Sequence, residues 1–234
     1  MSEPRHIIVT GANRGLGLGL VTKLVQRGDQ VIATVRTLPL DPGSALVLLH
    51  ALHPAQLTIY ACDMGQPEQI SAFAAAMQPH NIAGLINNAG VWGDHQSVDD
   101  LNFTEAAHLY QVNALAPLQL SLALRTPLRR GNGKIMHITS GLASIADNQS
   151  GGNYGYRMSK AALNMMSKSL AIDLKADGIV SAVVEPGWVQ TDMGGPNAPT
   201  TIEDSVRGLI EQFDALNAGA SGQFLSYRGG TMPW

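Results

Sequence analysis

Short apolar runs recur at residues 6–10, 30–35, 56–61, 82–87, 134–139, 180–184 and 223–227, nearly all separated by stretches with helical spacing. Most read as continuously apolar, for instance Ile82-Ala83-Gly84-Leu85-Ile86 and Val180-Ser181-Ala182-Val183-Val184. Unbroken apolar strands are expected where helices cover both faces of a parallel sheet. The alternation of strand and helix therefore predicts one α/β domain with a doubly wound sheet. Leu16, Leu20, Val21, Leu24 and Val25 mark the inner face of the first helix, and Gly28 is placed to end it with a left-handed cap. A longer helix is expected over residues 103–129, kinked or broken at Pro117, which has no N–H to give. Gly194, Gly195, Pro196 and Pro199 predict a loop over 194–200, between the sixth strand and the next helix.

Composition narrows the field. With 234 residues the chain can bury a substantial core as a single domain, and 15 Lys plus Arg against 18 Asp plus Glu leave a formal charge of -3. That balance points to no nucleic acid and no membrane surface as partner. The one cysteine, Cys62, excludes an intrachain disulfide and fits a reducing compartment. The first apolar run starts at His6, which leaves no room for a signal peptide, and no run of 18 or more apolar residues occurs. A cytoplasmic protein is expected. Of seven scattered histidines only His50 and His53 are close, without further ligands at metal-site spacing, so no metal is expected.

The candidate chemistry lies at the strand ends. Thr10-Gly11-Ala12-Asn13-Arg14-Gly15-Leu16-Gly17 joins the first strand to the first helix. Glycines there let the backbone approach a pyrophosphate, while the helix N-terminus offers unpaired N–H groups and partial positive charge. The spacing Gly-x-x-x-Gly-x-Gly departs from the generic Gly-x-Gly-x-x-Gly fingerprint. At the end of the second strand an acid would bind a ribose 2'-hydroxyl. The chain has Arg36 instead, with Arg14 as a second cation in the glycine turn. Two guanidinium groups suit a phosphate monoester, which predicts NADP(H) over NAD(H). Tyr156 and Lys160 stand one helical turn apart on a common face, so an ammonium could draw the phenol pKa from roughly 10 toward neutrality. Tyr154 has Met158 in the equivalent place and lacks that partner.

With Asn87-Asn88-Ala89-Gly90 after the fourth strand, Ser140 after the fifth, Tyr156 and Lys160 on the next helix, Asp63, Asn113 and Pro186-Gly187, the chain resembles the short-chain dehydrogenase/reductase family nearly end to end. Pro186-Gly187-Trp188-Val189-Gln190-Thr191-Asp192-Met193-Gly194-Gly195 and the final Pro233-Trp234 resemble its C-factor and Sniffer-type carbonyl reductases. The resemblance implies a single Rossmann-like domain with a seven-stranded parallel sheet, using a nicotinamide cofactor to interconvert an alcohol and a carbonyl. It implies Tyr156 as the acid, Lys160 as its electrostatic partner and a grip on the nicotinamide ribose, Ser140 as holder of the substrate oxygen, and Asn113 as anchor of a proton-carrying water.

For the cofactor the resemblance implies Gly11, Gly15 and Gly17 at the pyrophosphate within the turn that also carries Asn13, Arg14 and Leu16. Asp63 with Met64 would lie beside the adenine, Asn87 near the adenosine ribose, and Ala89 and Gly90 close to the cofactor chain. Pro186, Gly187, Val189 and Thr191 would border the nicotinamide. Val91, Trp92, Leu142, Trp188 and Met193 suggest a pocket for an apolar or aromatic carbonyl compound, although either tryptophan could equally be a core anchor. Residues 188–200 are expected to act as a lid over it. The family commonly pairs through the long central helix and the helix of the catalytic tyrosine, so a homodimer or homotetramer is expected. The alternative is a dinucleotide-binding regulatory or signalling protein with little turnover.

Overall fold

The computed structural model describes residues 6–94 and 97–234. Its seven strands are β1 (His6–Val9), β2 (Gln30–Val35), β3 (Leu57–Ala61), β4 (Ile82–Asn87), β5 (Lys134–Ile138), β6 (Val180–Glu185) and β7 (Phe224–Ser226). All pair in parallel, in the order β3-β2-β1-β4-β5-β6-β7. The order reverses between β1 and β4, and a crevice at such a switch point, beyond the strand C-termini, is where open α/β sheets bind ligands.

Side-chain alternation sorts the strands onto two cores. Ile7 and Val9 face a cluster with Leu20, Leu24, Leu209 and Phe213, whereas Ile8 faces one with Phe73, Leu120, Leu163 and Leu170. The first cluster lies under α1 (Gly15–Gln26), α2 (Ala45–Leu52) and α8 (Ile202–Ala215). The second lies under α3 (Pro67–Met77), a broken central helix and α7 (Tyr154–Asp173). Burying each such large side chain contributes about 1.5–3 kcal/mol before chain entropy is subtracted. The fit is close at Gly84, where a Cβ would lie 2.3 Å from Cζ of the buried Phe213 ring.

Helix ends follow their local chemistry. Gly28 is left-handed, and the amides of Gly28 and Asp29 return to the carbonyls of Val25 and Leu24 at 2.9 and 3.1 Å, the paired bonds of a Schellman cap. The central helix departs from the sequence expectation. It runs as α4 (Phe103–Tyr110), one π-helical turn at Gln111–Leu115, α5 (Ala116–Ala123) and α6 (Arg125–Arg130). Pro117 cannot bond the Asn113 carbonyl four residues before it, so the irregularity falls one turn upstream of the proline, around Asn113. No helix among the described residues is long and apolar enough to cross a membrane.

Candidate active site

A cleft of about 650 Å3 opens at the switch point, running from the glycine turn past Arg36 and Asp63 to Tyr156 and Lys160. Its floor is two loops packed back to back. Thr10 Oγ1 accepts the amides of Asn88 and Ala89 at 3.1 and 3.0 Å, while Asn88 Nδ2 donates to the carbonyls of Thr10 and Gly11 at 2.8 and 3.2 Å. Glycine is required where they meet. Gly11 is left-handed and a Cβ on it would lie 2.9 Å from Ala89 Cα, while one on Gly17 would lie 2.1 Å from the Gly11 oxygen. The residue preceding α1, Arg14, is extended, and no side chain caps the helix, so its first amides face the cleft without a side-chain acceptor. That cradle fits a pyrophosphate.

Arg36 lines the cleft beyond β2 with no ion-pair partner among the described residues, next to Thr37. Arg14 lines the same cleft from the glycine turn. Its Nη1 pairs with Asp192 Oδ2 at 2.6 Å across the cleft mouth, with both side chains more than two-thirds exposed. Asp63 Oδ1 accepts the Gly65 amide at 2.8 Å and the Asp63 N–H donates to Gln69 Oε1 at 2.9 Å, which shapes the far wall with Met64. Cys62 lines the same wall, and burial followed by the charge of Asp63 pushes its thiol up to about 11, too high for a reactive thiolate.

At the inner end, three consecutive left-handed residues, Gly151, Gly152 and Asn153, turn the chain into α7. Tyr156 thereby enters the first helical turn and is 7 % exposed. Ser140, just past β5, hydrogen-bonds the Tyr156 hydroxyl, and its Oγ accepts the Leu142 amide at 3.1 Å. Lys160 is 4 % exposed, with Nζ donating to the Ile138 carbonyl at 2.8 Å and lying 5.9 Å from the Tyr156 ring centroid. Asn113 is fully buried: its amide accepts from Val91 N–H at 2.8 Å and donates to Val91 O at 2.9 Å and Ser159 Oγ at 3.0 Å. The side chain of Asn113 therefore fixes the Val91 loop.

Electrostatics correct one expectation outright. Burial pushes the Tyr156 phenol up to about 12, against the opposing effect of its hydrogen bond to Ser140, instead of the ammonium drawing it down. Desolvation acts on Lys160 too, lowering it to about 8. In this enclosed site, removal from water disfavours the charged form of both groups. The phenol is neutral and can donate a proton throughout the physiological range.

Of the residues expected at the cofactor, Gly11, Asn13, Arg14, Gly15, Leu16, Gly17, Arg36, Asp63, Met64, Ala89, Gly90, Tyr156, Lys160, Pro186 and Thr191 line the cleft. Asn87, Gly187 and Val189 do not. Asn87 shares the face of Leu85 on β4, and its Nδ2 donates to Ser121 Oγ at 3.3 Å and meets His137 Nδ1 at 3.1 Å, deep under α5. Its neighbour Asn88 takes the cleft position, which strand parity from Leu85 would have indicated. Gly187 is left-handed and donates its amide to Glu185 Oε2 at 2.8 Å, and Val189 is buried.

The two tryptophans separate. Trp92 packs on Tyr156 with ring centroids 4.5 Å apart and a 44° tilt, whereas Trp188 is exposed and donates Nε1–H to Gly194 O at 2.7 Å. Residues 188–200 are tied internally by Gln190 N–H to Thr200 O at 2.9 Å, Thr200 N–H to Trp188 O at 3.1 Å and Gln190 Nε2 to Ala198 O at 2.9 Å. His108 and Thr139 also line the cleft and had no sequence signal of their own.

A switch-point cleft with a glycine cradle at one end and the buried Tyr156 and Lys160 at the other is the arrangement of a dinucleotide-binding α/β protein. The comparisons agree and are narrower. The family model described as short chain dehydrogenase matches residues 5–201. "C-signal" of Myxococcus xanthus is 44% identical over 164 residues, 70% of this chain and 99% of that protein. The 1-hydroxy-2-glutathionyl-2-methyl-3-butene dehydrogenase of Rhodococcus sp. (strain AD45) is 31% identical over 97% of this chain and 99% of its own. Among solved structures, the carbonyl reductase Sniffer of D. melanogaster superposes with TM-score 0.92 at 30% identity, covering 99% of this chain and 100% of its own. The NADPH-bound carbonyl reductase from chicken fatty liver superposes with TM-score 0.89 at 33% identity, covering 99% of each. The chain belongs to the short-chain dehydrogenase family.

Proposed function

We propose that this protein is an NADPH-dependent carbonyl reductase with Tyr156 as its general acid. The observation that carries the reading is the buried, neutral Tyr156 phenol, hydrogen-bonded by Ser140, at the inner end of a cleft that begins at the glycine cradle. When bound, the dinucleotide supplies hydride from nicotinamide C4 to the carbonyl carbon. Tyr156 gives its hydroxyl proton to the carbonyl oxygen, and Ser140 holds that oxygen beside it. The phenolate left behind is next to the Lys160 ammonium, which favours it. Lys160 would also grip the nicotinamide ribose, and a water held near Asn113 would return a proton toward it.

The preference for NADPH rests on Arg36, on Arg14, and on the lack of an acid at the end of β2; the NADPH-bound neighbour supports it. The substrate we assign is an apolar or aromatic carbonyl compound, lodged against Trp92, Val91 and Met193. Residues 188–200 act as the lid, moving when Arg14 exchanges Asp192 for phosphate; equal protease sensitivity of this loop with and without NADPH would refute that. The exposed Met158, Met165 and Ile172, seven residues apart along α7, support a homodimer or homotetramer through α7 and the central helix, which light scattering decides. The buried lone cysteine fits a cytoplasmic setting.

The 44% identity to C-signal supports a second reading, a signalling protein with little turnover. One experiment separates the two. NADPH oxidation is followed across ketones, aldehydes and quinones for the wild type and Tyr156→Phe. The reductase reading predicts turnover that nearly vanishes in the variant with NADPH binding retained; no turnover with any carbonyl favours the signalling reading.

A further inference from the structure

The segment after Ser140 continues from the residue that bonds the phenol, and the far end of the sequence holds it. Beyond β7 the chain reverses through Gly229 and Gly230, both left-handed, and pairs Thr231 with Leu225 in an antiparallel bridge. The Met232 amide then donates to the Phe224 carbonyl at 2.7 Å. This hairpin delivers Trp234 to the loop that follows the Gly141–Ala143 turn. The Trp234 main-chain oxygen accepts hydrogen bonds from Ile145 N–H at 2.6 Å, Ala146 N–H at 3.0 Å and Ser144 Oγ at 3.1 Å. Two consecutive amides and a hydroxyl converging on one oxygen form a nest. Ser144 is buried, and its Oγ also accepts the Asp147 amide at 3.1 Å, so one hydroxyl joins the loop to the tail.

The side chains alone would not hold this loop. Ile145 is 79 % exposed, so its apolar side chain gives the loop little purchase on the core. The Trp234 indole, by contrast, packs on the fully enclosed Phe224, with centroids 5.5 Å apart and a 39° tilt. The anchor is thus seated on β7, and the loop hangs from it. The other fixed point is Arg157, next to the acid, whose Nη1 donates to Leu142 O at 3.2 Å and Nη2 to Ser150 Oγ at 2.8 Å. The loop that follows Ser140 is therefore held from both sides, by the tyrosine helix and by the tail.

We propose that Trp234 is a positioning residue of the substrate site: it fixes Ser144, Ile145 and Ala146, and through the turn at Gly141–Ala143 it fixes Ser140 against Tyr156. The proposal rests on the carbonyl-reductase reading for its kinetic consequence, but its anchoring step does not.

The test combines hydrogen exchange with steady-state kinetics on full-length wild type, Trp234→Ala, Trp234→Phe and Ser144→Ala. In Trp234→Ala the Ile145 and Ala146 amides should exchange about tenfold faster or more, the loss expected when one such hydrogen bond opens freely. KM for the carbonyl should rise while the NADPH Kd stays at the wild-type value. Phenylalanine, which keeps a ring on Phe224, should restore both, and Ser144→Ala should reproduce the effect in weaker form. Unchanged exchange at 145 and 146 in both alanine variants overturns the proposal, as does faster exchange with KM unaltered. An NADPH Kd that weakens in step with KM also overturns it, because a general loosening would do that. Since the exchange arm needs no turnover, a wild type that reduces no carbonyl would refute the reductase reading without being mistaken for a failed anchor.

Discussion

Lys160→Met should make the protein more stable and inactive at once. Lys160 is 4 % exposed, and desolvation brings its pKa from 10.5 down to about 8. A displacement of that size means that holding the ammonium inside the folded protein at neutral pH costs roughly 3 kcal/mol relative to the unfolded chain. Methionine has similar reach and no charge, but it leaves the Ile138 carbonyl without its 2.8 Å partner, a loss of about 1 kcal/mol. The net expectation is a gain of about 2 kcal/mol, or about 4–8 °C in Tm for a chain of this size. The sign has a pH signature. Because the folded pKa is depressed, the unfolded wild type binds more protons between about pH 8 and 10.5, so wild-type stability recovers as pH rises through that window. Thermal and urea unfolding of both proteins at pH 7 and at several points up to pH 10.5 measures it, with NADPH oxidation as the activity readout. A variant no more stable than wild type at pH 7, or a gain that does not shrink toward pH 10.5, would refute the reasoning.

Arg36→Asp should weaken NADPH by about tenfold to a hundredfold, the range for losing a charge-assisted hydrogen bond, with NADH little changed; equal loss of both in a fluorescence titration would remove the 2'-phosphate argument. His137 is fully buried, and burial first, then the charge of Lys160, lowers its pKa to about 3. The unfolded chain takes up that proton near pH 6.5, so the stability tied to His137 is complete above pH 6.5 and is lost as pH falls toward 3, up to roughly 4–5 kcal/mol. His137→Gln should therefore flatten the acid limb of the stability curve, and coincident acid-unfolding curves for the two proteins would contradict this.

Much of this arrangement could be read along the chain because its signals are local. Seven apolar runs became seven strands within a residue or two, and the glycine turn fell between β1 and α1 because strand, turn and helix are contiguous. Tyr156 and Lys160 needed only helical spacing. What escaped depends on packing between distant segments or on water. The Arg14 to Asp192 pair spans 178 positions and the Ser144 to Trp234 bond spans 90, and no local pattern announces either. Asn87 was placed at the cofactor by motif, whereas strand parity turns its side chain inward to Ser121 and His137. The shift of Tyr156 went opposite to expectation because spacing reveals the cation but not the loss of solvent around the phenol. The π-helical turn around Asn113 likewise reflects how the central helix accommodates Pro117 while keeping the Val91 clamp.

The central claim is that hydride passes directly to a carbonyl carbon while Tyr156 protonates the oxygen. NADPH carrying deuterium at both C4 positions, incubated with the best carbonyl found in the panel, tests it most directly by mass spectrometry and NMR of the product. The account predicts one deuterium on the carbinol carbon, none on oxygen, and almost no product from Tyr156→Phe. Product without the label, or label released to solvent, would contradict it.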